Sequence, residues 1–431
     1  MTLLDIFPSL RATTVPRLDP ALWPADTHYD GDGRITLGGV ALADLADQYG
    51  TPVHVVDEAE VRARCRAYRK YFPDAEIVYA GTALMIGAVA RWVTEEGLSV
   101  QAGSGGELSV ALAAGVDPRR VVLHGPGKTC DELRTAVEHG VGRIVVGSLT
   151  EISLLAALAT RPQQVLLRVD PAIEVPGRPR FGFPLRGTSL ATAVARIAGQ
   201  PNLRLVGLHC HLGAQINNPD LYGEAIRRLI GEMAWIDAEY GLLLSHLDIG
   251  GGHAVAVRGG DAELNLPEFA DIVEDALDAG CARHRFPRPV LVLEPGRGIV
   301  ARAGVSLHRV LAVTETADGG TTVLVDGAGA CPARGSAVLV NRHPTGARLT
   351  ASILGSQGGS GVPLAADVRL PADLRPGEVL ALPCAGAYHP GLVSTYRGVG
   401  RPPVVAVAAG RCTPLLRRET TADLLRRETA V

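Results

Sequence analysis

The segment 76-EIVYAGTALMIGAVARWVTEEGLSVQAGSGGEL-108 decides the fold of this chain. A β-branched, apolar run ends at Tyr79, and Ala83 to Glu96 then carries apolar residues at helical spacing. Leu98 to Ala102 is a second strand-like run, so the segment predicts a strand, a helix and another strand. The glycine turn Ser104 to Glu107 opens a further helix, whose bare amides could face an anion. This unit is typical of an α/β barrel, which displays functional side chains at the carboxyl ends of its strands.

Strand-like runs recur along the first 300 residues, and helical patterns separate most of them. They are Val53 to Val56, Ile77 to Tyr79, Leu98 to Ala102, Val121 to Leu123, Arg143 to Val146, Val165 to Val169, Leu205 to Cys210, Leu247 to Ile249 and Val290 to Leu293. Repeated alternation with parallel-strand composition predicts a (β/α)8 barrel. Since nine runs compete for eight places, we expect the first or the last to belong to the junction with another domain.

The pattern changes after the barrel. From Gly304 onward, alternating strands with few helices predict an all-β domain. Residues 1–48 contain several prolines and a DGDG turn, which predict a short β excursion before the barrel. We therefore predict an N-terminal arm over residues 1–48, a barrel over 49–300 and a C-terminal β domain over 301–431.

The composition favours a globular protein that binds a small molecule. The chain has 431 residues, of which 47% are hydrophobic, and these are ample for large cores. A net charge of −3 argues against nucleic acid or a membrane surface as a partner. The first residues do not resemble a signal peptide, so we expect a cytoplasmic protein. Seven scattered cysteines without CxxC spacing support neither a disulfide framework nor a zinc ribbon.

Two motifs within the opening segment carry a family resemblance. Tyr79 to Ala83 reads YAGTA, and Gln101 to Leu108 reads QAGSGGEL. These motifs resemble the cofactor-lysine region of diaminopimelate decarboxylases, pyridoxal-phosphate (PLP) enzymes of the alanine-racemase-like barrel class, whose pattern is Tyr-Ala-x-Lys-Ala followed by Asp-Val-x-Ser-Gly-Gly-Glu-Leu. Thr82 stands where the family places the lysine that holds PLP covalently. Gln101 stands where it places the partnering aspartate, so the resemblance implies a divergent member without the cofactor lysine.

Other motifs resemble the family's cofactor pocket. The segment LHCHLGAQI at 208–216 matches one in which the second histidine stacks on the pyridine ring, although Ala214 replaces a serine that touches the phosphate. A triple glycine follows Asp248, and glycine amides can approach a phosphate closely. In the family, Glu-Pro-Gly-Arg provides a carboxylate for the pyridine nitrogen and phosphate contacts, and the tyrosine of Gly-Ala-Tyr reaches the phosphate. The resemblance thus implies cofactor-binding residues His211, Gly250, Gly251, Gly252, Glu294, Gly296, Arg297 and Tyr388.

The reaction-bearing positions depart from the family. Its Cys-Glu pair donates a proton and binds the distal amine of the substrate, and here Gly358 and Gly359 take those places. The only lysines of the chain are Lys70 and Lys128. Lys128 matches a lysine of the family's His-Gly-Asn-Asn-Lys-Ser segment, which accounts for it as a structural or interface residue. We therefore expect non-covalent binding of PLP or a PLP–amino acid adduct, with decarboxylation lost or altered.

Two alternatives remain open. The chain could be a non-catalytic regulatory or partner subunit on the same fold. It could also be an enzyme of another class with a histidine metal site at the barrel mouth, built from His124, His209, His211 and His253. The family pattern explains three of these four histidines, so we predict no metal. The resemblance also implies that the N-terminal arm packs with the β domain, and that the protein is a homodimer with the site at its interface.

Overall fold

A computed structural model describes residues 18–175, 181–317, 319–327, 336–344, 347–356 and 363–429 of the chain. These residues form two compact units. One contains Val61–Val255 and Ala262–Ile299, and the other contains the described parts of Met1–Glu60, Ala256–Asp261 and Val300–Val431. No helix in the described ranges is both long and apolar enough to cross a bilayer.

The strands in chain order are β1 (Thr27–Tyr29), β2 (Ile35–Leu37), β3 (Val40–Ala41), β4 (Val53–Asp57), β5 (Glu76–Ala80), β6 (Ser99–Ala102), β7 (Val121–Leu123), β8 (Arg143–Val146), β9 (Gln163–Asp170), β10 (Phe183–Pro184), β11 (Leu203–His209), β12 (His246–Asp248), β13 (Val290–Leu293), β14 (Gly304–Glu315), β15 (Thr321–Val325), β16 (Val338–Leu339), β17 (Arg348–Gly355), β18 (Ala365–Pro371), β19 (Val379–Leu382), β20 (Val404–Ala408) and β21 (Arg411–Leu416). The helices are α1 (Leu42–Tyr49), α2 (Glu58–Tyr71), α3 (Gly87–Glu95), α4 (Gly105–Ala113), α5 (Cys130–His139), α6 (Leu149–Leu158), α7 (Thr188–Ala198), α8 (Asp220–Tyr240), α9 (Leu266–His284), α10 (Arg297–Val300) and α11 (Thr421–Leu425).

The first unit is a closed parallel barrel. Eight of its described strands follow one another in the order β5, β6, β7, β8, β9, β11, β12 and β13, and β13 pairs with β5 to close the ring. Apolar side chains from six of these strands form one buried cluster: Val78, Val122, Val145, Leu166, Val206 and Val292. The predicted eight-stranded barrel is confirmed.

Three barrel helices begin with the same type of N-cap, a serine or threonine followed by a glutamate three residues later. A serine or threonine hydroxyl at the N-cap accepts a hydrogen bond from the amide of a glutamate three residues later, at Ser104 and Glu107, Thr129 and Glu132, and Ser148 and Glu151. The glutamates also accept amides from the preceding turns. Glu132 takes the Gly105 amide at 2.8 Å and Glu107 takes the Gly103 amide at 2.7 Å. The expectation of bare amides at the Ser104 turn is therefore wrong, because the chain's own carboxylates accept these hydrogen bonds.

The second unit is a mixed β-sheet. Its main path runs β18, β17, β15, β14, β4, β20 and β21, with β19 joining β14 and β16 joining β19. Strand β4 is antiparallel to β14 and parallel to β20. The first of the nine predicted runs therefore belongs to this sheet, which leaves eight for the barrel.

The N-terminal arm supplies part of the core of this β unit. Strands β1 to β3 form a small antiparallel sheet. Ile35 and Leu37 lie in one buried cluster with Val305 and Val405. The Ile35 amide donates to the Val340 carbonyl at 3.2 Å. The described part of the arm thus packs with the C-terminal strands.

Barrel closure between β11 and β12 depends on Gly207. A Cβ built on Gly207 would lie 2.1 Å from the carbonyl oxygen of His246, its partner on β12. We expect Gly207→Ala to lower the free energy of unfolding by at least about 2 kcal/mol, because the clash is with backbone. Gly106→Ala is the control, since its nearest neighbour would be Ser104 Oγ at 3.8 Å and alanine favours a helix by about 0.5–1 kcal/mol. Denaturant unfolding measures the stability of both variants. Equal stabilities would contradict the pairing of Gly207 with His246.

Candidate active site

The carboxyl ends of neighbouring barrel strands carry nearly all the sequence-predicted site residues. In the parallel barrel these ends share one face, which we call the mouth. Ring order places the ends of β11, β12, β13, β5, β6 and β7 side by side. They carry, or are followed closely by, His209, His211, Gly250, Gly251, Gly252, Glu294, Gly296, Arg297, Thr82, Gln101 and His124.

A buried chain of polar side chains forms the floor of the mouth. The Nε2 atoms of His124 and His209 lie 3.0 Å apart, and His209 Nε2 lies 3.3 Å from Glu294 Oε2. All three residues are buried. Burial lowers the pKa of His124 and of His209 well below the ordinary value, so both imidazoles are neutral at physiological pH. Neutral rings beside a carboxylate leave Glu294 as the main local source of negative charge.

One carboxylate oxygen of Glu294 has no hydrogen-bond donor among the described residues. Its Oε1 is buried and receives no hydrogen bond from the described residues, and the same holds for His209 Nδ1. Burial, with the neighbouring charge of Glu294, raises the pKa of Asp248 well above its ordinary value, so a second carboxylate charge is disfavoured here. A buried acceptor without a partner is costly and calls for an occupant. A ligand that brings an N–H, such as a protonated ring nitrogen, satisfies Oε1.

The triple glycine brings three backbone segments together. Gly250 accepts the Glu294 amide at 2.8 Å, and Gly252 accepts the Ile216 amide at 2.9 Å. Cβ atoms on Gly251 and Gly252 would lie 2.0 Å from the carbonyl oxygens of Glu294 and Gly213. Within the described ranges the amides of Gly251 and Gly252 donate no hydrogen bond. Two such amides on one turn can donate hydrogen bonds to an anionic group.

His211 and Arg297 flank this turn. A Cβ on Gly250 would lie 3.0 Å from His211 Nδ1, so the half-buried imidazole lies against the glycines. A Cβ on Gly296 would lie 3.0 Å from the Cβ atoms of Ala80 and Ala83. This close approach places the half-buried Arg297 next to the end of β5.

Thr82 and Gln101 lie in one corner of the mouth. Thr82 is exposed, and its hydroxyl donates to Glu107 Oε2 at 3.4 Å. Gln101 is only 6% exposed, and its Oε1 has no partner among the described residues. Gly103 lies between them, because its Cβ would be 2.9 Å from Thr82 Oγ1 and 3.8 Å from Gln101 Nε2. The corner contains hydroxyl, amide and carboxylate groups and no amine.

Both lysines of the chain are accounted for elsewhere. The Lys128 side chain is 3% exposed, lies 3.0 Å from Glu151 Oε1 and donates to the Gly125 carbonyl at 2.8 Å. Burial lowers the pKa of Lys128, and the ion pair with Glu151 opposes that change. Lys70 lies exposed on α2, with its ammonium 5.2 Å from the centre of the Tyr71 ring. Lys128 is therefore a buried structural cation.

The candidate histidines separate into two groups. His253 packs among aromatic rings, and its Nδ1 lies 2.8 Å from the Tyr68 hydroxyl. Burial lowers the pKa of His253 to about 3, which is typical of a core side chain. Among the described residues, His124, His209 and Glu294 place one ligand atom each within 4.8 Å of one another. The sequence analysis named His124 and His209 as candidate metal ligands but did not join Glu294 to them, because 85 residues separate His209 from each of its two partners.

One predicted position falls outside the barrel unit. Tyr388 belongs to the β unit and has a left-handed backbone, with φ of 70°. Gly358 and Gly359 lie outside the described residues. Their roles stay predictions.

Comparison with known proteins gives a consistent family. The model of the pyridoxal-dependent decarboxylase pyridoxal-binding domain matches residues 58–301, more than half of the chain. A diaminopimelate decarboxylase of Actinosynnema pretiosum subsp. auranticum is 45% identical over 99% of this chain and 100% of its own length. One from Mycobacterium bovis is 36% identical over 95% of this chain and 98% of its own.

Solved structures give the same fold. The crystal structure of AQ1208 from Aquifex aeolicus superposes with a TM-score of 0.84 at 28% identity, and covers 94% of this chain and 98% of that one. A diaminopimelate decarboxylase from M. jannaschii in co-complex with L-lysine has a TM-score of 0.88 at 24% identity, and covers 95% of this chain and 99% of its own. At that identity the second structure supports the fold alone.

The structural role of Lys128 can be tested by stability. We expect Lys128→Met to lower the free energy of unfolding by about 3–5 kcal/mol, because it leaves Glu151 as a buried charge without its cation. The double variant Lys128→Met with Glu151→Gln should recover part of that loss. Lys70→Met is the matched control, and we expect it to change stability by less than about 0.5 kcal/mol. Denaturant titration that finds Lys128→Met no less stable than Lys70→Met would refute the role.

Proposed function

Because the chain belongs to the diaminopimelate decarboxylase family of pyridoxal-dependent decarboxylases, we propose that it binds PLP, or a PLP–amino acid adduct, at the barrel mouth without a covalent bond to lysine. One observation carries the proposal. The corner where the family places its lysine contains Thr82 beside Glu107, while Lys128 is held by Glu151 and Gly125. The pocket for the ring and the phosphate is retained, and the amine that would join the cofactor is missing.

The residues of the mouth fit the chemical groups of PLP. Glu294 Oε1 is a buried acceptor for the protonated ring nitrogen. The amides of Gly251 and Gly252, together with the Arg297 guanidinium, suit a phosphate dianion. We propose that His211 packs on the ring and that Tyr388 reaches the phosphate, as the family resemblance implies. The proposed binding set is His211, Gly250, Gly251, Gly252, Glu294, Gly296, Arg297 and Tyr388.

The residues of the mouth also limit the reaction that bound PLP could support. Bound PLP supplies an electron sink for a carbanion next to its ring. Glu294 would hold the proton on the ring nitrogen, and His211 would orient the ring. Thr82 provides no amine to exchange with a substrate, and Gly358 and Gly359 provide no proton donor. Acid and base groups each contribute about 10²- to 10⁴-fold, so we propose that the family's decarboxylation is lost or altered.

A non-catalytic role on the same fold is the alternative proposal. The loss of side chains at Gly358 and Gly359 is the sequence feature that favours a regulatory or partner subunit. Such a subunit would co-purify with a catalytic relative and show no preference for PLP. The homodimer that the resemblance implies stays a prediction.

A divalent cation is the second candidate ligand, because His124, His209 and Glu294 converge within 4.8 Å. One nitrogen, His209 Nε2, lies within reach of both the other groups and can donate to only one of them. A zinc ion would satisfy all three, since imidazole and carboxylate are its usual ligands. Elemental analysis of the purified protein decides this: we expect well under one equivalent of zinc. A stoichiometric metal that is lost in Glu294→Gln would favour the metal enzyme.

Borohydride reduction tests the proposed function directly. We expect the purified protein to take up PLP with its characteristic absorbance, to lose it on dialysis, and to retain none after reduction. Thr82→Lys is the matched control, because it places an amine in the corner, and it should retain PLP covalently after reduction. We expect this variant to remain unable to decarboxylate diaminopimelate, since Gly358 and Gly359 are unchanged.

Mass spectrometry of the reduced proteins locates any modified lysine. PLP fixed to Lys128 in the unaltered protein would refute the non-covalent proposal. Robust turnover by Thr82→Lys alone would show that the positions of Gly358 and Gly359 are not required.

A further inference from the structure

The corner around Gly103 is lined by polar side chains. A Cβ on Gly103 would lie 2.9 Å from Thr82 Oγ1, 3.4 Å from Glu107 Oε2 and 3.8 Å from Gln101 Nε2. Three polar side chains from the ends of β5 and β6 and the first turn of α4 therefore surround one glycine. Thr82 approaches so closely that a Cβ at position 103 would force it to shift.

Glu107 has one occupied and one open oxygen. Its Oε2 accepts the Gly103 amide at 2.7 Å and the Thr82 hydroxyl at 3.4 Å. In the described part of the chain, Oε1 accepts no hydrogen bond and pairs with no cation. The carboxylate is thus fixed in position by the backbone and still has the capacity to bind a donor.

Gln101 adds a second open acceptor. The side chain is 6% exposed, and its Oε1 is buried without a partner among the described residues. A buried amide oxygen that lacks a donor costs about 1–3 kcal/mol. The Gln101 atom nearest to Gly103 is Nε2, and its Oε1 remains available to a donor that a ligand supplies.

We propose that this corner recognises a primary ammonium on the bound cofactor, so that the site prefers pyridoxamine 5'-phosphate, the amine form, to the aldehyde and alcohol forms. The inference rests on the proposed PLP site. The family's lysine joins the cofactor at its 4' carbon, and Thr82 stands in that lysine's place. The substituent on the 4' carbon would therefore face Thr82, Gln101 and Glu107.

Charge and donor count both favour the amine. An ammonium offers three donors and no acceptor, which complements one carboxylate oxygen, one hydroxyl oxygen and one amide oxygen. A hydrogen bond between an ammonium and a carboxylate is charge-assisted and stronger than a neutral one. An aldehyde oxygen offers only an acceptor, so it gains nothing from the Glu107 carboxylate and can accept only from the Gln101 amide or the Thr82 hydroxyl. In a lysine-bearing site the lysine ammonium would repel this ligand, and Thr82 removes that repulsion.

Isothermal titration calorimetry of the full-length, dialysed protein tests the preference. The probes are pyridoxamine 5'-phosphate, pyridoxine 5'-phosphate and PLP, of which the first two differ in replacing an ammonium by a hydroxyl. We expect the amine to bind at least about tenfold more tightly than the alcohol, the effect typical of a hydrogen bond to a charged group. Glu107→Gln should bring the ratio of the two dissociation constants close to one while it leaves the affinity for the alcohol within about twofold.

Thr82→Lys is a second variant with the opposite expected effect. It introduces a cation at a position where relatives of this fold carry one, so folding should be retained even if Glu107→Gln is unstable. We expect it to reverse the preference, with the amine bound more weakly than the alcohol. Equal binding of amine and alcohol by the unaltered protein, or an unchanged ratio in both variants, would overturn the inference and leave the proposed PLP site standing. Failure of all three probes to bind would overturn the proposed function itself.

Discussion

The mouth of the barrel depends on contacts between backbone segments that only glycine permits. Cβ atoms at Gly250, Gly251 and Gly252 would lie 2.6, 2.0 and 2.0 Å from carbonyl oxygens of Cys210, Glu294 and Gly213. Real Cβ atoms do not approach oxygen so closely, and Gly250 and Gly252 also have positive φ angles of 71° and 88°. These contacts hold the ends of β11, β12 and β13 together. The positions of His211 and Glu294 follow from them.

Three glutamates near the mouth accept backbone hydrogen bonds within the protein itself. Glu107, Glu132 and Glu151 each accept amides at or before the start of a helix, and Glu151 also pairs with Lys128. Such contacts fix each carboxylate without using every oxygen. Glu107 illustrates the result: its Oε2 accepts both the Gly103 amide and the Thr82 hydroxyl, and its Oε1 accepts no hydrogen bond in the described part of the chain. A capping residue thereby becomes available for recognition.

Sequence patterns predicted the barrel and most residues of its mouth, because strand ends and glycine turns are local signals. They left the place of the VHVVD run at 53–57 open, since a strand buried on both faces has the same composition in a barrel and in a mixed sheet. This run pairs with β14 and β20, which lie far from it in the sequence. The contact of His124 with His209 and Glu294 is equally long-range, and no spacing rule joins residues on strands β7, β11 and β13. The prediction of bare amides at the Ser104 turn was wrong for a different reason. The sequence shows that the turn has amide donors, but only the fold shows that Glu132 already accepts the Gly105 amide.

The two departures in the corner make physical sense as a pair. Relative to the family pattern, threonine removes a positive charge at position 82 and glutamine removes a negative charge at position 101, so the balance of charge is kept. Gln101 is 6% exposed, and an aspartate there without its cation would be a buried charge that lacks compensation. An exchange at position 82 alone would leave such a charge, whereas the two exchanges together place a neutral hydroxyl and a neutral amide near Glu107, the carboxylate that the Thr82 hydroxyl contacts among the described residues. The pair of residues is therefore compatible with a folded, polar corner.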